Sequence, residues 1–325
     1  MIHTLKSANE ILGTDYRDWK SLSARKFLTE DFIREFKDEV DWDKISIRQH
    51  LSEGFIREFA DRVDWHIISV YQYLSEGFIR EFAHRVDWRE ISKFQHLSEG
   101  FIREFADKVN WNGISIFQNL SENFIREFKD KVSLSLSWCW ISMHQTLSED
   151  FIREFKNKVN WDYISKYQHL SEDFIREFKN KVNWDAVSQY QRLSDEFIEE
   201  FEDKVYMNVI ADSWHYKSVE EKKRAVIDTG LYECCDDYFI AYKGIRRDRY
   251  SRFNFQYQYL KGHTYETWCD CSDNEDSFGF SAWTEESVKQ YCSELVVRVK
   301  VRYEDVGRVV QDGGKIRCFK LEILD

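Results

Sequence analysis

A period of 23 residues governs most of this chain. The pentad Phe-Ile-Arg-Glu-Phe begins at Phe32, Phe55, Phe78, Phe101, Phe124, Phe151 and Phe174, and Phe-Ile-Glu-Glu-Phe begins at Phe197. The spacing breaks once, to 27, where Leu134–Ser137 reads as a four-residue insertion. Trp42, Trp65, Trp88, Trp111, Trp138, Trp161 and Trp184 recur in the same register, and Trp19 with Leu28 marks a degenerate copy upstream. Self-similarity of this kind belongs to repeat architectures, in which one unit cannot cover its own apolar face and neighbours must stack on it.

The unit reads as two short helices. Over Ser171 to Val182, Ser171 is an N-cap and Phe174, Ile175, Phe178 and Val182 share a helical face. Asn183 then caps a second helix whose apolar stripe is Trp184, Val187 and Leu193. Serine recurs at the first cap, and Asp or Asn at the second. These side chains compete with the helical ladder, so they predict a break where 23 proline-free residues could have run on as one helix. The chain has no proline, where average use gives about 16. Its 17% aromatic content supplies large side chains for a mainly α architecture. The expected fold is a short-repeat helical-hairpin solenoid over residues 1–217, followed by a small α+β domain over 218–325.

Polar positions keep the period too. Gln49, Gln72, Gln95, Gln118, Gln145, Gln168 and Gln191 each follow the Ile or Val of a second helix by four residues. Two readings stand: the amide satisfies carbonyls of the adjacent unit, as buried polar groups must be satisfied, or the row lines a peptide groove. Ser46 and its equivalents are expected to bond back within their own helix, and the Arg-Glu of each pentad to form a solvated charged face. His50, His96 and His169 read as surface residues. Each Trp is expected to pack between repeats; an exposed row would instead be a binding stripe. The insertion is expected to be a surface loop on the face that meets a partner, which makes Leu134, Leu136, Trp138 and Trp140 candidate contacts. A lengthened first helix is the alternative.

The unit Leu-Ser-Glu-x-Phe-Ile-Arg-Glu-Phe, then Val-Asp/Asn-Trp-x-x-Ile-Ser-x-x-Gln, resembles tandem repeats in proteins of large nucleocytoplasmic DNA viruses, the marseillevirus and mimivirus group. Tyr242–Arg246, Gly262–Glu266, Ser277–Phe280 and Arg317–Glu322 are similar to a small C-terminal domain of such viruses and of some phages. The resemblance implies a viral origin, in virion or host cytoplasm, with a capsid or host protein as partner. It brings no chemistry and no catalytic residue.

Charge and targeting narrow the rest. A net charge of −12 disfavours bulk nucleic-acid binding. No apolar run approaches a membrane span and Met1–Lys6 lacks a signal-peptide core, so a soluble protein made in the cytosol is expected. Seven cysteines, six of them after Tyr232, read as reduced thiols in place of a disulfide framework.

In the C-terminal part, Ser218–Glu221 is a capping box whose helix Gly230 closes. Phe253–Tyr259, Leu295–Tyr303 and Lys315–Ile323 read as strands, with a Gly313–Gly314 turn before the last and a short helix capped by Thr284. Lys243, Arg246, Arg247, Arg249 and Arg252 beside Tyr250 and Phe253 form the one concentrated basic patch. Residues 231–325 nonetheless carry 14 basic against 17 acidic side chains, so a solvated hairpin tip is preferred to a phosphate site, and Arg246, Arg247 and Arg249 remain candidate contacts. Cys269 and Cys271 with Cys234, Cys235, Cys292, Cys318 and His263 lack zinc-knuckle spacing, and no metal or cofactor is expected. Asp270, Asp273, Glu275 and Asp276 crowd one loop, but Ser281 stands where a calcium loop needs Glu, leaving a solvated acidic turn. Tyr242–Arg246 with Glu285 and Glu286 faintly resembles ADP-ribosyltransferases, without their Ser-Thr-Ser strand. The expected function is therefore a non-enzymatic interaction or assembly scaffold, the alternative a transferase carried by the C-terminal domain.

Overall fold

The computed structural model describes all residues except 1–4, 26, 132–134, 252–254, 256, 273–277 and 292–293. The chain forms two compact units, Met1–Ile114 and Ser115–Asp325. The first is made of helical repeats. The second continues them and carries an antiparallel sheet.

Each repeat is a pair of short helices, as in Glu53–Glu58 followed by Trp65–Tyr71, or Glu172–Glu177 followed by Trp184–Tyr190. The caps are where the residue pattern puts them. Ser52 Oγ accepts from Phe55 N, and Asp64 accepts from Ile67 N. Phe59 and Phe178 end the first helices with backbone no longer helical, and a tight turn leads to the next cap. Phe55, Ile56, Ile68, Phe174, Ile175 and Val187 are fully buried. Within each unit the second helices pack on the second helices of neighbouring repeats.

Polar side chains lock one repeat to the next. Gln168 Oε1 accepts from Leu147 N at 3.0 Å, while its Nε2 donates to Ser142 O at 2.9 Å and Gln145 O at 2.8 Å. Gln72, Gln95 and Gln191 repeat the pattern on the unit before them. The reading in which the amide satisfies an adjacent unit is the one found, because an irregular backbone crossing there leaves one N–H and two C=O groups without ladder partners. The serines do more than bond back. Ser165 Oγ donates to Trp161 O and also accepts from Asn183 N of the next repeat.

The Arg-Glu pairs are likewise a seam between units and not only a solvated face. Arg153 Nε donates to Glu177 Oε2 at 2.7 Å, and its guanidinium lies 5.0 Å from the Phe174 ring centroid. Glu149, from the first turn of the earlier helix, accepts from Ser171 N. Exposed ion pairs contribute little apiece; their value here is in fixing register.

The indoles of Trp42, Trp65, Trp88, Trp138, Trp161 and Trp184 pack on the following repeat, as expected. Trp161 stacks on Phe174 and Phe178 at 6.2 and 4.9 Å and donates its Nε1 to Lys156 O. One edge stays in solvent. Trp161→Ala is therefore expected to lose about 2–3 kcal/mol, below the 3–5 of a fully buried aromatic, read by urea denaturation of the full chain. A loss under about 1 kcal/mol would show that the ring contributes no packing.

The 27-residue step is a correction. From Ser135 the chain is helical to His144, so the insertion extends the second helix of its repeat at the N-terminal end. It is neither the expected loop nor a lengthened first helix. Trp138 packs on Phe151 and Phe155 and is 3% exposed. It has the ordinary inter-repeat role and no surface to offer a partner. Leu134 and the side chain of Leu136 lie outside the described residues.

The capping box at Ser218 and Glu221 opens the helix Val219–Ile227, and Gly230 follows at φ +65°. The sheet comprises β1 (Glu233–Cys234), β2 (Tyr238–Ile245), β3 (Thr264–Glu266), β4 (Phe280–Trp283), β5 (Leu295–Arg302), β6 (Val306–Val310), β7 (Lys315–Cys318) and β8 (Lys320–Ile323). Their order is β3-β8-β5-β2-β4-β7-β6, with β1 on β2. The alternation of Leu295–Arg302 buries Val297, Val299 and Val301, as half-buried strands do. Phe253–Tyr259 departs from expectation. Of its described residues only Gln258 makes a bridge, to Tyr250, because Phe255 and Tyr259 are drawn inward as plugs around Arg246 and Lys243.

Candidate functional site

Two places in the second unit join elements far apart in sequence. The first is the face where the sheet meets the repeats. The residue before the repeat Gln is Arg48 at Gln49 and then Tyr71, Phe94, Phe117, His144, Tyr167 and Tyr190. Phe278, beside the acidic loop, sets its ring edge-on to Tyr167 at 4.8 Å and against Tyr190 at 6.1 Å. Lys166 Nζ lies 5.1 and 4.8 Å from the centroids of the same two tyrosines. His169 meets Trp268 at 4.9 Å, so this histidine is more than a surface residue. In the first unit, the equivalent Tyr71 is 54% exposed.

The second place is a cavity of about 670 Å³ lined by Gln189, Val209, Ser213, Trp214, Lys217, Cys271, Ser272 and Arg308. Its floor is the turn that carries Cys271. Arg317, fully buried on β7, donates through Nη1 to Asp270 O at 2.9 Å and Ser272 O at 3.1 Å. Asp270 Oδ1 accepts from Ser272 N at 2.8 Å, and Asp270 N donates to Phe278 O. Cys271 is thereby held between two clamped neighbours. Gly279 and Gly307 make room for Cys269. A Cβ on Gly279, which sits at φ +112°, would lie 2.8 Å from the Cys269 sulfur, and one on Gly307 would meet the same atom.

The thiols divide sharply. Burial pushes Cys318 up to about 12, and burial raises Cys269 as well. Cys271 goes the other way, down to about 6, because the Cys269 thiol donates to it and His215 and Lys222 favour its charged form against the burial that opposes it. His215 is 8% exposed, stacks on Trp268 at 5.3 Å, and has no hydrogen-bond partner at Nε2. Lys222 donates to Glu304 O at 3.1 Å. On the cavity wall, the Trp214 ring lies 5.8 Å from Lys217 Nζ and 5.2 Å from Arg308 Cζ.

The candidates chosen from sequence fare unevenly. Of the three arginines only Arg247 is exposed. Arg246 is buried, pairs with Asp248 at 2.9 Å and covers Phe255 at 4.8 Å. Arg249, at φ +69°, donates to Tyr259 O and Asp325 O. Arg246 and Arg249 are thus spent on internal contacts, and Arg252 lies outside the described residues. Trp140 packs partly buried on His144 at 5.7 Å. Partial burial and the Glu285 carboxylate push the Tyr242 phenol up, but Arg246, pointed inward, is not available beside it for a dinucleotide. Asp270 is fully buried and not part of a solvated turn; Asp273, Glu275 and Asp276 lie outside the described residues, as does Cys292. Among the described residues no His, Cys, Asp and Glu cluster could hold a metal ion, and no helix is long and apolar enough to cross a membrane.

His215 and Lys222 were missed in the sequence, where they stand about fifty residues before Cys271 and share no motif with it. The one available signal is that Ser213-Trp-His-Tyr216 follows the array at the point where its pattern fails. No protein-family model, no curated protein and no solved structure matches the chain.

Proposed function

We propose that this chain is a non-enzymatic repeat scaffold, a solenoid that binds a protein partner along its aromatic row, and that its setting is a large DNA virus, as a minor virion component or a binder of a host protein. The observation that carries the reading is the row itself. Tyr167 and Tyr190 hold the ring of the chain's own Phe278, while Tyr71 presents the same side chain, at the same repeat position, to solvent. The recurrent Gln and Arg side chains are, by contrast, engaged between repeats. The partner that fits is a protein loop presenting an aromatic ring, as Phe278 does. Large rigid rings contribute most of the affinity in such contacts.

The test is a photo-crosslink. With Tyr71→p-benzoylphenylalanine in the full chain, irradiation in purified virions or host extract is expected to give one discrete, saturable adduct, lost in the Phe94→Glu background. Diffuse labelling or none overturns the reading. Incubation of the full chain with labelled NAD tests the transferase alternative, since label transferred to protein and lost on Glu286→Gln would replace the scaffold by an enzyme.

A further inference from the structure

We propose that Cys271 is a nucleophilic thiol that opens on the 670 Å³ cavity and undergoes exchange with a small, carboxylate-bearing disulfide of the glutathione type. Four observations converge on it. Cys271 lines the cavity, whereas Cys269 and Cys318, though close, do not. The turn that carries it is fixed on both sides by a buried guanidinium, so its backbone is held in place, while the sulfur, on a residue 4% exposed, lies 3.8 Å from Cys269 O. Two groups that favour a thiolate, His215 and Lys222, stand on the connection and helix that follow the array, and His215 keeps a buried nitrogen without a partner. The wall beside it is an indole with Lys217 5.8 Å from the ring centroid, a cation that favours carboxylates over amines.

The thiolate is the reactive form, and its fraction decides which of several cysteines reacts. The groups that face Cys271 are Cys269 on its own turn, His215, Lys222 and, through the backbone it clamps, Arg317 with Asp270; Lys217 and Arg308 stand across the cavity. Cys269 remains protonated and donates its S–H. It does not compete for the substrate. In the step itself, the Cys271 sulfur attacks one sulfur of the disulfide, a new S–S bond forms, and the old S–S bond breaks. The released sulfur leaves as a thiolate and takes a proton from solvent. One disulfide is consumed and one is made, so no further oxidant enters, and an added thiol reverses the step.

Intact-mass measurement of the full folded chain with glutathione disulfide, and separately with the cationic disulfide cystamine, tests this. The expected result is one adduct, mapped to Cys271, reversed by dithiothreitol and absent in Cys271→Ser. Its rate is expected to reach half its plateau near pH 6, the range to which Cys271 is lowered, and His215→Gln should move that midpoint upward. Glutathione disulfide is expected to react roughly tenfold faster than cystamine at low salt, and Lys217→Gln to reduce that preference. Preferential adduct formation at exposed Cys234 with Cys271 unmodified overturns the site. Equal rates for the two disulfides overturn the substrate class. Should Cys271→Ser fail to fold, Cys234→Ser with peptide mapping still decides which thiol reacts. None of these outcomes depends on the aromatic row, so the scaffold reading stands or falls separately.

Discussion

Gln168→Leu is expected to remove about 3–5 kcal/mol of stability, since it strands three buried backbone groups at about 1–3 kcal/mol each with partial relief by water. The groups are Leu147 N, at the start of the mutated repeat, and Ser142 O and Gln145 O of the repeat before it. The loss should therefore register at the junction of the two. Hydrogen exchange at the Leu147 amide should accelerate before exchange at Ile175, which sits in the following repeat. Gln168→Glu separates the two halves of the amide's role. It keeps the acceptor for Leu147 N but at neutral pH points a carboxylate at two carbonyls. Its loss should be at least as large at pH 7 and should diminish near pH 4, where a protonated carboxyl donates again. A loss below about 1 kcal/mol for Gln168→Leu would mean that the backbone crossing finds other partners.

Arg317→Met is expected to cost about 3–5 kcal/mol, the range for breaking a buried charge pair by removing one member. The guanidinium is fully buried, 4.0 Å from the Asp270 carboxylate, and donates to both carbonyls that flank Cys271. Asp270→Asn in the same chain should recover part of the loss, because it removes the carboxylate left without compensation. Thermal unfolding of the single and double variants measures it. If Arg317→Met melts within a degree or two of the parent, the turn is held by other contacts and the clamp has no role.

Much of the array could be read from residue types alone, because each signal was local and repeated. Ser and Asp or Asn at fixed spacing marked the caps. The recurrent Gln, four residues after an apolar one, had to be inward or at a seam, and it is at the seam. The Arg-Glu pair was legible as charge but not as a link between units, since a helix surface pattern shows which side chains are polar and not what lies across from them. The four extra residues misled for a related reason. Leu134 and Leu136 looked badly placed on a helix end when judged against the first helix, while the chain starts the second one early, at Ser135. In the C-terminal part, period-two strands were visible, but Phe253–Tyr259 shows the same alternation where its described residues Phe255 and Tyr259 fill space around Arg246 and Lys243. The Cys271 pocket could not be found that way. Its turn, its imidazole and its ammonium come from three separate segments, and the guanidinium that holds the turn comes from a fourth; only the sheet's order brings them together.

The Gln ladder has a direction. The amides of Gln49, Gln72, Gln95, Gln145, Gln168 and Gln191 each donate to two carbonyls of the repeat before their own, so such a repeat is completed by the one that follows it, and the last repeat has no successor. There the hydroxyl of Tyr216 takes the place of the missing amide, accepting from Leu193 N at 2.9 Å, while Tyr206, in the Asp/Asn position, still donates its backbone N–H to Ser188. The array thus behaves as a polymer with a terminator at one end. Copies of 23 residues can be gained or lost upstream without any new closing piece, and the number of exposed aromatic rungs can change while the terminus, the sheet and the thiol pocket attached to it are inherited intact.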